Sequence, residues 1–323
     1  MKQTLSIFFI LLLTSCSWVK DENEDCPYGF WLNLHYTYNI LDVDAAPKHV
    51  KEVSIYVYDA AGNFIKRFNV NKAELDAKNY RVRVDGLAEG DYQFMVWGGI
   101  VNNEYAVSGD METMDKFRVS LANQTTSSAT QLPNMFYGYL PTVHYSSAYS
   151  THDVDMMKNT NQLSCIIVPP SPSVTINPAD FDMKLESANT TMDARNNLTS
   201  NFLMTYEAFE KNAVAIDDER IGTLNCVSFS MSTLRLMENT DCRIILNKKE
   251  TGQEVFNVSL PKSVGLMGNL YTNLGRKLTV QEYLDRQDFY TVVFFLSSDL
   301  DALINLEVNP WKIRANADNH LKL

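Results

Sequence analysis

Short segments that alternate apolar and polar residues, each closed by turn formers, recur along nearly the whole chain and point to an all-β sandwich. Leu32-Asn33-Leu34-His35-Tyr36-Thr37-Tyr38 alternates, and so does Val53-Ser54-Ile55-Tyr56-Val57-Tyr58. Successive side chains of a strand point to opposite faces, so this pattern buries one face and wets the other. Asp59-Ala60-Ala61-Gly62-Asn63 reads as a hairpin loop, with Phe64–Phe68 as the returning strand. Arg81–Val84 and Tyr92–Trp97 continue the pattern, and Asn71–Lys78 predicts one short helix.

Residues 100–135 are polar and irregular, with a low-complexity patch at Gln124–Ser128, and are expected to form loops carrying short strands. Beyond the aromatic cluster Phe136-Tyr137-Gly138-Tyr139, the Ser- and Tyr-rich stretch Pro141–Thr151 is expected to hold a domain junction. A second set of strands follows: Val154–Met157, Leu163–Val168, Phe181–Leu185, Cys226–Leu236, Arg243–Leu246 and Glu254–Val258. Thr279 and Glu282 form a Thr-x-x-Glu capping signal for a helix ending near Arg286. Phe289–Leu296 is apolar enough to be a central strand, and Ile304–Val308 is the last alternating one, stopped by Pro310-Trp311.

The amino terminus adds an address. Met1-Lys2 supplies a positive start, and the apolar run Leu5–Leu13 is broken only by Ser6. That run is far short of the ~20 residues a membrane span needs, but it suits the core of a signal peptide. Leu13-Thr14-Ser15-Cys16 then resembles the lipobox of bacterial lipoproteins, in which cleavage precedes the cysteine and its thiol is acylated. One acyl chain binds membranes only marginally, whereas several give a lasting tether. Ser17–Asp25 is an acidic spacer; Ser17 is not the aspartate of inner-membrane retention. Lys20 followed by acidic residues resembles the surface-export signal of Bacteroidetes lipoproteins, the alternative being a plain solvated linker. The expected location is the outer membrane, lipid-anchored and exposed at the cell surface.

Removal of the signal peptide leaves about 308 residues, room for two domains of ordinary size. The 45% hydrophobic content suffices for real cores. The net charge is -11, or -12 once Lys2 is gone, which argues against nucleic acid as a partner and against binding anionic membrane through basic patches. With Cys16 lipidated, Cys26, Cys165, Cys226 and Cys242 remain; they fit either two disulfides or buried free thiols, and no zinc spacing.

No catalytic constellation, metal site or cofactor motif stands out, and the chain is expected not to be an enzyme. His35, His49, His144, His152 and His320 show no ligand spacing. Ser150-Thr151-His152-Asp153 places triad residue types side by side, but a triad assembles from separate elements. Asp42-Val43-Asp44 and Asp153-Val154-Asp155 lack the glycine and distal glutamate of a calcium loop. Tyr36, Tyr38, Tyr56, Tyr58, Tyr137, Tyr139, Tyr145 and Tyr149 would suit either a glycan-binding face or ordinary half-exposed strands.

Several short motifs, in order, carry a resemblance. They are the lipobox, Asp25-Cys26-Pro27, Tyr38-Asn39, Val57–Gly62, Gly90-Asp91-Tyr92 leading to Trp97-Gly98-Gly99, and Phe136-Tyr137-Gly138. Thr233-Leu234-Arg235-Leu236, Tyr283-Leu284-Asp285-Arg286 and Val308-Asn309-Pro310-Trp311 complete the set. Together the chain resembles the FimB/Mfa2-family fimbrial anchor subunits of Bacteroidetes; the Cys165, Cys226 and Cys242 set has no family role to map onto. The resemblance implies two tandem transthyretin-like β-sandwich domains with one or two short helices. The organisation is then a signal peptide at 1–15, a spacer at 16–25, an N-terminal sandwich at 26–145 and a C-terminal sandwich at 146–323.

The resemblance also implies a subunit at the base of a fimbria that ties the stalk to the outer membrane and limits its length, with the stalk subunit as partner. Such polymers assemble by strand exchange, since an open sheet edge presents unpaired backbone groups that a donated strand satisfies. Two segments are candidates for that chemistry. Trp31, Leu32, Leu34 and Tyr36 lie in a first strand expected to stay in place. Ile304, Leu306, Val308 and Trp311 lie in a last segment that is either a donor strand or a frayed terminus. The alternative role is a surface lipoprotein adhesin that binds glycan or host protein.

Overall fold

The computed structural model describes residues 28–109, 111–122, 126–200, 202–218, 222–269 and 275–309. The signal peptide, Cys16, the spacer, Cys26, Trp311 and the tail to Leu323 lie outside these residues.

The first half carries ten strands: β1 Phe30–His35, β2 Glu52–Asp59, β3 Phe64–Asn71, β4 Arg81–Val84, β5 Gly90–Gly98, β6 Tyr105–Ser108, β7 Arg118–Leu121, β8 Ser127–Ser128, β9 Phe136–Tyr145 and β10 Ser150–Lys158. Seven of them form one sheet in the order β3-β2-β5-β9-β10-β1-β4. The sheet folds over at β10, which runs parallel to β1 along Ser150–Asp155 and then pairs antiparallel with β9 along Met156–Lys158. A strand that changes partners in this way makes the corner of a sandwich. Phe30 of β1 accordingly stacks on Phe94 of β5, with ring centroids 5.3 Å apart, although three sheet steps separate the two strands. Leu32, Leu34, Val53, Ile55, Val57, Val96 and Val154 fill the space between the flanks.

Turn chemistry explains the first hairpin. The Asp59 carboxylate accepts from the amides of Ala61 (2.9 Å) and Asn63 (2.8 Å), while Gly62 takes a φ of +85°. An Asx-type turn with glycine at the left-handed position closes the loop without strain. Two short helices flank this half, α1 Ala46–His49 and α2 Lys72–Ala77. The second is the helix expected at Asn71–Lys78; Asn71 and Glu74 satisfy each other's backbone amides in a capping box.

The second half carries β11 Thr160–Val168, β12 Phe181–Ser187, β13 Thr191–Asp193, β14 Met204–Glu207, β15 Glu210–Asp218, β16 Gly222–Leu234, β17 Cys242–Lys248, β18 Glu254–Ser259, β19 Phe289–Leu296 and β20 Leu303–Val308. It also holds α3 Leu260–Gly265 and α4 Val280–Arg286, so the described residues contain four short α-helices. Sheet β15-β16-β11-β19-β20 faces sheet β18-β17-β12-β14-β8. Cys165, Ile167, Phe229 and Val292 from the first pack with Met183, Leu185, Ile244 and Leu246 from the second. Phe256 and Phe294 stack across the gap at 4.5 Å. β19 lies between β11 and β20, one step from the sheet edge rather than at its centre.

The halves are stitched together by the irregular stretch after β5. There β6 and β7 form a small sheet with β13, and the two-residue β8 adds parallel to β14. Met114, Phe117 and Val119 close over the outer side of β2 and β5, burying Tyr56, Tyr58 and Trp97 completely. The first sheet also continues to Lys158, past the junction expected at 145–146, because β10 pairs with β1 and β9. Alternation shows that 154–157 is a strand but not which sheet receives it.

Candidate assembly strands and the joint between the halves

β1 is held from both sides. It pairs parallel with β10 from Phe30 to His35 and antiparallel with β4 from Phe30 to Asn33. Phe30, Leu32, Leu34 and Tyr36 are buried, none more than 2% exposed. Each such side chain contributes about 1.5–3 kcal/mol through burial, so withdrawing four forfeits roughly 6–12 kcal/mol. That is on the order of a whole domain's stability. Leu32, Leu34 and Tyr36 are therefore core residues. Trp31 is not: it faces outward, its indole N–H donates to the Tyr28 carbonyl (2.9 Å) and the Arg81 guanidinium lies over its ring.

β20 is an edge strand. Among the described residues it pairs with β19 alone, in antiparallel register from Val292↔Val308 to Leu296↔Leu303, with an irregularity at Phe295/Leu296. Leu303, Leu306 and Val308 are half-buried against the core, and Ile304 is 68% exposed. Asn309 clips its end: its backbone N–H donates to the Thr291 carbonyl (2.7 Å) and its side-chain oxygen accepts from the Thr291 N–H (2.8 Å). The side-chain amide also donates to Tyr283 Oη of α4 (3.0 Å).

The scattered motifs converge on the joint between the halves. Arg235 grips Asp285 of α4 with two parallel hydrogen bonds (2.9 and 3.0 Å) and donates to the Asn196 carbonyl (2.8 Å). Arg286, the next residue of α4, reaches into the first half. Its guanidinium stacks 4.3 Å from the Tyr38 ring centroid and donates to the Asn39 carbonyl (3.1 Å). Lys158, at the end of β10, meets Asp288 at 2.7 Å. Tyr137 Oη donates to the Ala194 carbonyl (2.9 Å), tying β9 to the loop after β13. Glycines permit the close approaches: a Cβ on Gly99, at φ +74°, would sit 1.8 Å from the Asn134 carbonyl oxygen. Sequence order showed the motifs, but not that Tyr38, Arg235, Asp285, Arg286 and Asn309 share one region.

Cys165, Cys226 and Cys242 are buried free thiols, so the two-disulfide option fails among them. Cys165 and Cys242 belong to the sandwich core and Cys226 to the opposite face of its sheet. Burial pushes the Cys226 and Cys242 thiols up to about 12 and raises that of Cys165 as well, so all three stay protonated and inert.

Of the eight tyrosines singled out in the sequence, Tyr36, Tyr56, Tyr58, Tyr137 and Tyr145 are buried, Tyr38 and Tyr139 half-buried, and Tyr149 is exposed. A broad tyrosine face for glycans is not formed by this set. Tyr38, Tyr137, Tyr139, Asp155 and Arg286 line a cleft of roughly 440 Å³ at the joint. At the far end of β1, His35 sits between Asp44 (2.9 Å) and Asp153 (3.5 Å). Those carboxylates, through hydrogen bonding and charge, outweigh burial and raise its pKa. No group of three or more His, Cys, Asp or Glu among the described residues is arranged to hold a metal. No helix among them is long and apolar enough to cross a membrane.

Comparison with known proteins places this architecture. The family described as fimbrillin-A associated anchor proteins Mfa1 and Mfa2 matches residues 23–317. No curated protein matches the chain significantly. Among solved structures, a candidate adhesin from Bacteroides thetaiotaomicron is similar at 26% identity and TM-score 0.79, over 88% of this chain and 97% of that one. The fimbrial anchor protein Mfa2 from Porphyromonas gingivalis shares the fold at 14% identity and TM-score 0.65, over 88% and 98%. The all-β fold and the match along residues 23–317 agree: this protein belongs to the family of fimbrillin-A associated anchor proteins Mfa1 and Mfa2.

Proposed function

We propose that this chain is the lipid-anchored subunit at the base of a fimbria, joining the stalk to the outer membrane through acylated Cys16 and ending polymer growth there. The observation that carries the reading is the contrast between β1 and β20. A subunit that accepts a strand must first vacate a groove, and β1 is fixed by two partner strands and four buried side chains. It stays covalently joined to the tether, so this subunit accepts no donor and the polymer stops. A donated strand has to leave its own sheet, and β20 has one partner among the described residues and a half-exposed face. The segment from Ile304 to Leu323 is therefore the donor toward the stalk subunit. No catalytic step enters this role.

Replacing Cys16 with alanine in the native cell tests the anchor: long fimbriae should be shed into the medium while the rest of the outer membrane is unchanged. Unaffected fimbriae, or a cell that makes none, would reassign the chain to a surface-binding role. Deleting Lys312–Leu323 tests the donor, because release of fimbriae is expected and retention sinks it.

A further inference from the structure

The sheet β15-β16-β11-β19-β20 turns one face to the sandwich core and the other away from it. Ile166, Val168, Leu224, Cys226 and Val293 lie on the outward face, since their neighbours Cys165, Ile167 and Phe229 point into the core. An outward face open to water would leave them wet, yet none is more than 6% exposed. Among the described residues, the apolar side chains packed against them are Ile216 and Phe295, both of this same sheet. Lateral neighbours cannot seal a face from above. The enclosed strip is also narrow: Asn305 and Glu307 of β20 and Asn212 of β15 point the same way and are exposed. In register the strip runs as a diagonal from Val293 on β19, through Ile166 and Val168, to Cys226 and Leu224 on β16. At ordinary strand spacing and rise that diagonal is roughly 15–20 Å long. A cover of that width and length is one extended segment, not a second sheet.

We propose that this strip is the dock of the chain's own last segment, residues 311–317, in the free subunit, and that stalk assembly draws the segment off it. The second clause rests on the donor role given above to residues 304–323; the first does not. Of the stretches outside the described residues, the internal ones reach five residues at most, and the amino-terminal one joins the first half at Tyr28. The carboxy-terminal one starts beside the strip, because Asn309 is hydrogen-bonded to Thr291, two residues before Val293 on the same strand. Its sequence alternates: Trp311, Ile313, Ala315 and Ala317 are apolar, and Lys312, Arg314 and Asn316 polar. An extended chain of this pattern lays one apolar edge on the strip and keeps its charges in water. Seven extended residues span about 23 Å, enough to cover it. Lys312 and Arg314 are opposite in sign to Glu307 and Glu210, both exposed on this face; Glu210 accepts from Ser230 Oγ (3.4 Å). A donor held on its own subunit cannot pair at random before the stalk arrives, and the stalk's groove has to offer it more than the strip does.

Cys226 reports on the far end of the strip, because it is 1% exposed there while Cys165 and Cys242 sit in the sandwich core. Maleimide labelling of the purified mature chain, read peptide by peptide by mass spectrometry, tests the dock. Deleting residues 312–323 is expected to speed labelling of Cys226 about tenfold or more, since a thiol released from burial regains thiolate character. Cys165 and Cys242 should stay unlabelled. Adding a peptide of residues 310–323 to the shortened chain should restore the protection. Cys226 equally slow with and without the segment overturns the dock, because another cover then seals the strip. If the shortened chain labels at all three cysteines, Trp311→Ser with Ile313→Ser in the full-length chain decides: labelling of Cys226 alone supports the dock, and any other pattern overturns it. Fimbriae counted on cells carrying the same deletion keep the two readings apart. Fimbriae shed with Cys226 still protected leave the donor standing without the dock; fimbriae retained with Cys226 exposed leave the dock and overturn the donor.

Discussion

The first and last described strands, β1 and β20, both alternate and both border a sandwich core, yet they are held in opposite ways. β1 lies inside its sheet with two partners, and its inward residues are sealed. β20 lies at an edge with one partner, and its inward residues are half-buried. Pattern alone gives a strand its buried face; its position in the sheet order decides how tightly it is held. The alternation of Leu32, Leu34 and Tyr36 and that of Leu306 and Val308 look alike in sequence, but only the first set is enclosed.

The comparison breaks first if β1 proves dispensable. Phe30→Ala should cost about 3–5 kcal/mol in urea unfolding, because Phe30 stacks on Phe94 and His152 at 5.3 and 4.4 Å and packs at a tilt on Tyr145 at 5.3 Å. A loss below about 1 kcal/mol, in the range of surface changes, would mean that β1 is no anchor of its sheet.

The clip on β20 comes next in size. Asn309→Ala removes two side-chain hydrogen bonds, one to Thr291 N–H and one to Tyr283 Oη. A loss of about 1–2 kcal/mol is expected. Amide exchange should rise along Leu303–Val308 and leave Phe30–His35 unchanged; equal acceleration of both strands would show that they open as one unit.

How much of this was legible follows from what each residue contacts. The β1 core set, the Asp59–Asn63 hairpin and the Thr279 cap, whose hydroxyl accepts from the Glu282 N–H (3.1 Å), were readable, since period, turn chemistry and capping are local; the reciprocal half of the expected capping box is not formed, because the Glu282 carboxylate accepts from Arg276 and Arg286 instead. β8 was not, because two serines gain a strand only by pairing with β14. β15 was not, because an exposed edge strand needs no apolar alternation. The joint was half-readable: Arg235, Asp285 and Arg286 stood in recognisable motifs, but their pairing depends on how the two halves meet. The cysteines were not readable either, since thiols on opposite faces of one sheet have the same spacing as thiols that could bond.

A pH effect smaller than about 1 kcal/mol should separate the strands further, because half-exposed ion pairs are weak. His35, on β1, has a raised pKa in the folded state, so its pairing adds stability that is full below its ordinary value of 6.5. That contribution is lost as pH rises through the folded value. His35→Asn should therefore lower the melting temperature at about pH 5–6, below the histidine range, and leave it nearly unchanged at about pH 8, above it. A deficit that grows toward alkaline pH would mean that Asp44 and Asp153 do not hold the charged ring.

The smallest expected stability change carries the sharpest functional contrast. Ile304 is 68% exposed in β20, so Ile304→Ser should shift unfolding by no more than about 0.5 kcal/mol. In the isolated subunit that side chain covers little of the core. In a donated strand it would enter the partner's groove, where alternate side chains supply specificity and a hydroxyl without a partner is penalised. Fimbriae should therefore leave the cell surface of this variant while the subunit itself unfolds as the unaltered chain does. Attachment that survives, with stability equally intact, would remove Ile304 from the contact and move the donor segment beyond Val308. Loss of both attachment and stability would show that β20 is as firmly built into its own sandwich as β1, and the difference between the two strands would no longer explain assembly.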